Sequence, residues 1–238
     1  MTDYYADNLS ARQLERCYAI APPRVRRYLD AEIQHVLGKI RPCDTVLELG
    51  CGYGRALGRL AACAGVVLGI DTSIASLDLA RRRLGEFANV RLATMDAVSL
   101  GLADAVFDVV VCIQNGISAF GVDRRGLFQE SLRVTKPGGT VLFSSYSDKF
   151  WLARLGWFEL QAEHGLIGEI DRQRTRDGVI VCTDGFEATT VSPEEFCAIG
   201  SSLGVRPVIE QVDESSIFCE IQAGRVRYAG QSGKRHQQ

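Results

Sequence analysis

The sequence predicts an α/β protein in which helices cover both faces of a doubly wound, mostly parallel sheet. Two observations lead to this class. Between residues 45 and 146, short apolar strand-like segments alternate with segments of helical periodicity, which implies right-handed βαβ units. Residues 107–113 are almost wholly apolar, as is typical of a strand in the middle of a parallel sheet.

Length and composition are compatible with one large domain. The 238-residue chain is 46% hydrophobic and has a formal net charge of −2, which offers no general attraction to nucleic acid or to an anionic membrane. The eight cysteines form no C-x-x-C pair and the three histidines are far apart, so we expect reduced thiols and no metal site. Without a signal-peptide pattern or a membrane-spanning run, a cytoplasmic monomer or homodimer is expected.

The predicted elements follow one another in a regular order. Two N-terminal helices are expected within residues 10–40, separated at Pro22 and Pro23. A K-P-G-G turn at 136–139 is expected before the fifth strand. The predicted strands span residues 45–49, 66–71, 89–96, 107–113 and 140–146, and the helices between them span 55–64, 73–84 and 123–134.

The alternation stops after Tyr146. Residues 150–190 show no clear helix–strand repeat, and the alternating pattern around R-D-G at 176–178 predicts a small β meander. Downstream, Ser192 and Glu195 predict a capping box at the start of a further helix. Two closing strands are then expected, joined tightly at residues 213–215.

These segments suggest three regions. Residues 1–44 would form an N-terminal helical lid. Residues 45–222 would form the main domain, with residues 150–190 as an insertion that covers the substrate. Residues 223–238 contain four Lys/Arg and no acid, and predict a flexible basic tail.

A glycine-rich turn follows the first predicted strand, in V-L-E-L-G-C-G-Y-G-R at residues 46–55. Glycines between a strand and a helix let the backbone approach a ligand closely, and the helix presents its terminal amides there. A dinucleotide-binding fingerprint, G-x-G-x-x-G, would need a glycine where Arg55 stands. A nicotinamide-dependent oxidoreductase therefore stays open as an alternative with an incomplete motif.

The same stretch resembles motif I of the class I S-adenosylmethionine-dependent methyltransferases, E-x-G-x-G-x-G, at residues 48–54. In that family an acid at the end of the second strand holds both ribose hydroxyls, and Asp71 stands at that place. A carboxylate suits this role because it accepts two hydrogen bonds at once. An acid in the next loop, matched by Asp96, binds the adenine amino group. Glu48 would add favourable charge near the sulfonium.

The resemblance continues along residues 45–222. The fourth strand ends in a polar loop at 113–116, a P-G-G turn precedes the fifth strand, and two antiparallel strands close the sheet. It implies a Rossmann-like sheet of seven strands, S-adenosylmethionine as cofactor, and in-line methyl transfer to a small molecule. The cofactor-binding residues that it implies are Glu48, Gly50, Cys51, Gly52, Asp71, Thr72, Met95, Asp96, Ala97, Ile113 and Gln114.

The acceptor pocket is expected outside the carboxyl ends of strands four and five. Its candidate lining residues are Tyr18, Tyr28, Tyr146 and Trp151, and Asn115 is the candidate for positioning the acceptor. Residues 107–120 also resemble glycine and sarcosine N-methyltransferases, which suggests a small amine or amino-acid-like acceptor. Amine, carboxylate and thiol acceptors stay open, as does a non-catalytic cofactor-binding protein. The mild acidity of the chain disfavours an RNA acceptor.

Overall fold

The computed structural model describes Tyr4, residues 8–121 and residues 123–224. The predicted basic tail, apart from its first two residues, lies outside this part of the chain. Within it, the helices are all too short or too polar to cross a bilayer. The same residues contain no cluster of three or more His, Cys, Asp or Glu side chains that could hold a metal ion.

The strands form one large sheet and one small one. They are β1 (Thr45–Leu49), β2 (Val66–Asp71), β3 (Val90–Thr94), β4 (Phe107–Cys112), β5 (Thr135–Tyr146), β6 (Ile180–Val181), β7 (Glu187–Ala188), β8 (Val208–Val212) and β9 (Ser216–Gln222). The large sheet has seven strands in the order β3-β2-β1-β4-β5-β9-β8. Strands β1 to β5 pair in parallel, whereas β9 is antiparallel to both β5 and β8. The predicted doubly wound sheet with antiparallel C-terminal strands is confirmed.

Helices connect the strands and cover the sheet. They are α1 (Ala11–Ala19), α2 (Pro23–Leu37), α3 (Leu57–Ala61), α4 (Ile74–Arg83), α5 (Gly116–Ala119), α6 (Arg124–Val134), α7 (Trp151–Glu163) and α8 (Pro193–Ser202). The local sequence determines where several of these helices begin. Ser73 caps α4 by accepting from the Ser76 amide, and Ser192 with Glu195 forms the predicted capping box of α8.

The position of strand β4 in the sheet explains why its sequence is apolar throughout. Alternate residues of a strand point to opposite faces of the sheet. Val109 and Val111 lie in the core on one face, and Val110 and Cys112 lie in the core on the other. Both faces are therefore covered by helices, which places the carboxyl end of β4 in the interior of the molecule.

The expectation for residues 150–190 is wrong in its first third. A 3₁₀ turn at Asp148–Phe150 leads into helix α7, and the short β6–β7 pair follows only later. Helix α7 buries Arg154 and Gln161 beside Trp157 and Phe158. Because polar residues share the inward face, the helix lacks the clean apolar stripe by which amphipathic helices are predicted.

The K-P-G-G segment lies within β5 and does not precede it. Thr135 pairs with Phe107, and the register then shifts before the regular pairing resumes at Thr140. Backbone bonds join this irregular stretch to the end of β9: Gly138 donates to the Ala223 carbonyl at 2.7 Å. The predicted turn is thus an irregularity inside a long strand, held by pairing that local sequence does not reveal.

Replacement of Gly139 by alanine is expected to lower the free energy of unfolding by about 1–3 kcal/mol. A Cβ atom there would lie 2.7 Å from the Asp108 carbonyl oxygen and 2.8 Å from a methyl of Thr135, so the backbone would have to move. Urea denaturation measures the change. The matched control is Gly101→Ala, where a Cβ meets nothing within 4 Å. Equal stability of the two variants would contradict the prediction.

Candidate active site

The glycine turn after β1 brings bare backbone to the carboxyl end of the sheet. Gly50 and Gly52 have φ angles of 69° and 54°, a region that glycine adopts without penalty. A Cβ at Gly50 would lie 2.4 Å from the Phe120 ring, and one at Gly52 would lie 3.1 Å from Leu14. The glycines are therefore required both by the turn and by the side chains packed over it.

A cavity of about 380 Å³ opens beside this turn, within the usual size range of small-molecule sites. Its floor is formed by the carboxyl ends of the strands and its roof by α1, α7 and the segment around β7. The structure brings all the predicted cofactor residues to its wall. These are Glu48, Gly50, Cys51, Gly52, Asp71, Thr72, Met95, Asp96, Ala97, Ile113 and Gln114.

Asp71 joins two parts of the floor. One carboxylate oxygen accepts a hydrogen bond from the Gly52 amide at 2.8 Å, and the other accepts from the Ser73 amide at 2.8 Å. The glycine turn is thereby fixed to the start of α4. Because a carboxylate offers about four acceptor positions, these bonds are compatible with hydroxyl donors from a ligand.

An acid, Glu48, and a guanidinium, Arg55, border one end of the cavity. Within the described part of the chain, Glu48 Oε2 and Arg55 Nε and Nη2 are buried without a hydrogen-bond partner. Burial raises the pKa of the Glu48 carboxyl to about 8; the Arg55 guanidinium opposes this shift and Asp71 adds to it. Buried polar atoms normally have partners, so this end fits a ligand with an ammonium and a carboxylate.

The β4 loop adopts an unusual backbone conformation. Gln114 and Asn115 have φ angles of 57° and 61°, which non-glycine residues seldom adopt. The Gln114 amide donates to Glu32 Oε2 at 2.6 Å. Glu32 lies on α2 and is fully buried, and burial raises its pKa to about 7. No sequence pattern marks Glu32, which supports the β4 loop from helix α2.

Both ends of the Asn115 amide are engaged. Its Nδ2 donates to the Thr189 carbonyl at 2.9 Å, and its Oδ1 accepts from the Ser145 hydroxyl at 2.8 Å. Ser145 in turn accepts from the Val191 amide at 2.8 Å. Asn115 therefore ties the β4 loop to β5 and to the segment that follows β7, while it lines the cavity.

The predicted acceptor residues separate into two groups. Tyr18 and Tyr146 line the cavity with the cofactor candidates. Tyr28 is wholly buried behind Tyr146, with ring centroids 5.3 Å apart. Trp151 lies at a second cavity on the outer side of Tyr146. Trp151 is the first residue of α7. Later residues of this helix, and not Trp151, therefore lie over the main cavity.

Several wall residues were missed by the sequence analysis. Arg55 could have been recognised from the sequence only by its position directly after the glycine triplet. Phe158 and Gln161 lie on a helix that the sequence did not reveal, although Trp157 of the same helix was expected near the acceptor. Phe186 lies beyond it, near β7. They reach the cavity through tertiary packing: the Trp157 indole, for example, donates to the Cys17 carbonyl of α1 at 2.9 Å.

Comparison with known proteins supports the same ligand class. A family model described as "Methyltransferase domain" matches residues 46–139, which contain the glycine turn, Asp71 and the β4 loop. Residues 46–139 therefore carry the sequence pattern of a methyltransferase domain. The cofactor of this family is S-adenosylmethionine, and the orphaned polar atoms of Glu48 and Arg55 fit its amino-acid group.

The curated relatives match this chain over only part of its length. An arsenite methyltransferase of Aquipseudomonas alcaligenes is 38% identical over 138 residues, which are 52% of this chain and 38% of that protein. The matched regions cover between 38% and 52% of the first three curated relatives. The likeness to glycine and sarcosine N-methyltransferases stays a prediction.

Solved structures show the same fold over most of the chain. A protein of Pyrococcus horikoshii superposes with a TM-score of 0.65 at 21% identity, covering 93% of this chain and 99% of its own. A SAM-dependent methyltransferase of Aquifex aeolicus superposes with a TM-score of 0.61 at 16% identity, covering 88% and 97%. At these identities the match establishes the fold, and the acceptor must be argued from this chain's own residues.

Replacement of Glu48 by glutamine is expected to remove a pH dependence of stability. The pKa of Glu48 is raised from 4.5 to about 8, so between these pH values the folded chain retains a proton that the unfolded chain has lost. The free energy of unfolding therefore falls as the pH rises through this range. Relative to wild type, the free energy of unfolding of Glu48→Gln should rise by roughly 3–4 kcal/mol between pH 5 and pH 8.

Urea denaturation at pH 5 and pH 8 measures this difference. The control is Glu86→Gln, a substitution of an exposed carboxylate that should change stability equally little at both pH values. A stability difference between wild type and Glu48→Gln that is the same at both pH values would refute the prediction.

Proposed function

We propose that this protein transfers the methyl group of S-adenosylmethionine to a small-molecule acceptor. The observation that carries the proposal is the cavity floor, where bare glycine backbone, the Asp71 carboxylate and the buried pair Glu48 and Arg55 face one enclosed space. The cofactor supplies a methyl group already activated by its positive sulfur. The protein then has to bind, orient and exclude water.

Each part of the floor is assigned one part of the cofactor. Asp71 accepts from the ribose hydroxyls, as a charged acceptor that the Gly52 and Ser73 amides hold in place. Glu48 and Arg55 face the ammonium and carboxylate groups. Residues 95–97 and Thr72 surround the adenine. Gly50 to Gly52, Ile113 and Gln114 complete the wall.

A nicotinamide dinucleotide fits this floor poorly. Its pyrophosphate would need the third glycine of the fingerprint where Arg55 stands. It would also approach the carboxylate of Asp71, which borders the same cavity and would repel further negative charge. This charge favours a cationic cofactor instead.

The roof encloses the reaction. We assign residues 1–44 the role of a lid and residues 150–190 that of a cover, because α1 and α7 both contribute side chains to the cavity. Asn115 is assigned as a positioning residue, since it holds the β4 loop against Ser145 and Thr189. The matched family region ends at residue 139, so the acceptors of relatives do not transfer to this roof.

A reducing compartment such as the cytoplasm is part of the proposal. All eight cysteines are free thiols, and most are buried as small apolar side chains. Secreted proteins usually pair their cysteines. We retain the expectation of a monomer or homodimer.

The proposal is tested by calorimetry and by product assay. S-adenosylhomocysteine should bind, and NADH should not bind, at micromolar concentrations. Incubation with S-adenosylmethionine and a panel of phenols, amines, thiols and carboxylic acids should then release S-adenosylhomocysteine. Binding of NADH alone would overturn the cofactor assignment. Cofactor binding without turnover on any acceptor class would favour a non-catalytic binding protein.

The substitution Asp71→Ala is expected to weaken S-adenosylhomocysteine binding by about 2–3 kcal/mol, or roughly 30- to 150-fold. The loss arises because the hydroxyls lose a charged acceptor and the glycine turn loses its anchor. Asp71→Asn keeps one acceptor oxygen and should lose less. The control is Asp78→Ala, which breaks only an exposed pair with Arg81. Wild-type affinity in Asp71→Ala would show that another group holds the cofactor.

A further inference from the structure

We propose that the methyl acceptor is an aromatic compound that carries a carbonyl or phenolic oxygen, and that Gln161 recognises this oxygen. The inference rests on the proposed methyltransferase function and adds the chemical class of the acceptor to it. It also replaces the amine or amino-acid acceptor suggested by the sequence of residues 107–120.

The roof of the cavity is built from aromatic rings. Tyr18 of α1, Tyr146 at the end of β5, Trp157 and Phe158 of α7 and Phe186 near β7 all line it. The rings meet at angles, with Tyr18 and Trp157 tilted by 45° at 5.8 Å between centroids. Such walls pack favourably against the edge or face of another ring. An aromatic acceptor therefore fills this space better than a small hydrophilic one.

One polar side chain in the roof has an unused donor. Gln161 is 3% exposed and lines the cavity. Its Nε2 is buried without a hydrogen-bond partner among the residues that the structure describes. A buried amide donor needs an acceptor atom, so the matching molecule presents an oxygen. The Trp157 indole is not available for this, because it donates to the Cys17 carbonyl.

The electrostatics of the roof disfavour an ammonium group. An aromatic cage attracts a cation through its ring faces, but two of these faces already carry guanidinium groups. Arg55 lies over Tyr18 at 4.9 Å, and Arg154 lies over Tyr146 at 4.4 Å. A cationic acceptor would meet the positive charge of Arg55, which lines the cavity, and the Tyr146 ring already carries Arg154.

The carboxylates of the cavity lie elsewhere. Among the described residues that line it, the acids are Glu48, Asp71 and Asp96, which border the floor at or after the strand ends. An acceptor that binds under the roof as an ammonium would therefore lack a counter-ion. A neutral oxygen, by contrast, meets the Gln161 donor and leaves no charge buried without compensation.

Three probes with one shared ring system separate these possibilities: 1-indanone carries a carbonyl oxygen, indane carries no polar group, and 1-aminoindane carries an ammonium. Ligand-observed NMR measures their affinity for the protein saturated with S-adenosylhomocysteine. We expect 1-indanone to bind at least 10-fold tighter than 1-aminoindane and at least 5-fold tighter than indane.

The role of Gln161 is tested by Gln161→Met, which keeps the length of the side chain and removes the donor. This variant should bring 1-indanone and indane to within 2-fold of each other, while its affinity for S-adenosylhomocysteine stays at the wild-type value. The matched control is Gln129→Met on an exposed position of α6, which should leave the preference of the wild type unchanged.

Several results would overturn the inference. These are tighter binding of 1-aminoindane, failure of all three probes to bind, or an unchanged 1-indanone preference in Gln161→Met. The ranking of the probes on the wild-type protein decides the question even where the variant does not fold. Failure of S-adenosylhomocysteine to bind would instead refute the proposed function, so the two failures are distinguishable.

Discussion

Two backbone amides that are 21 residues apart in sequence converge on the carboxylate of Asp71. This interaction fixes the glycine turn against the start of α4 and gives the cavity floor its shape. It depends on the parallel pairing of β1 with β2, which brings the two strand ends to the same edge of the sheet. It also depends on glycine at residues 50 and 52, because a side chain there would displace Phe120 or Leu14. The rest of the site is arranged around this fixed floor.

Around that floor the protein retains polar groups that do not serve the stability of the fold. Glu32 and Glu48 are both buried, and burial raises the pKa of each. One oxygen of each lacks a partner within the described residues, which is unfavourable in an interior of low polarity. Such exceptions concentrate at functional sites. Glu32 supports the β4 loop, whereas Glu48 borders the cavity itself, and the two carboxyls therefore have separable roles.

The floor and the roof of the cavity differ in how far apart in sequence their residues lie. The floor lies within residues 46–139, which match the family model, and its side chains follow short motifs at strand ends. The roof is assembled from α1, α7 and the segment near β7, which are distant in sequence and meet through contacts such as that of Trp157 with Cys17. A common floor with a separate roof allows one cofactor to be combined with different acceptors, and we propose that Gln161 and the surrounding rings set the acceptor preference of this chain.

The sequence by itself predicted the strands of the large sheet and most of the helices between them, because these depend on local periodicity. Its resemblance to the methyltransferases supplied the cofactor candidates from Glu48 to Gln114, which the structure brings to one cavity. The sequence also predicted the capping box of α8 and the turn at residues 176–178. Tertiary structure alone decided the helix α7, the position of Tyr28 behind Tyr146, and the parts played by Glu32, Arg55 and Gln161. The physical reason is that these side chains are polar yet buried, so no hydrophobic pattern marks them, and their partners come from elements far away along the chain.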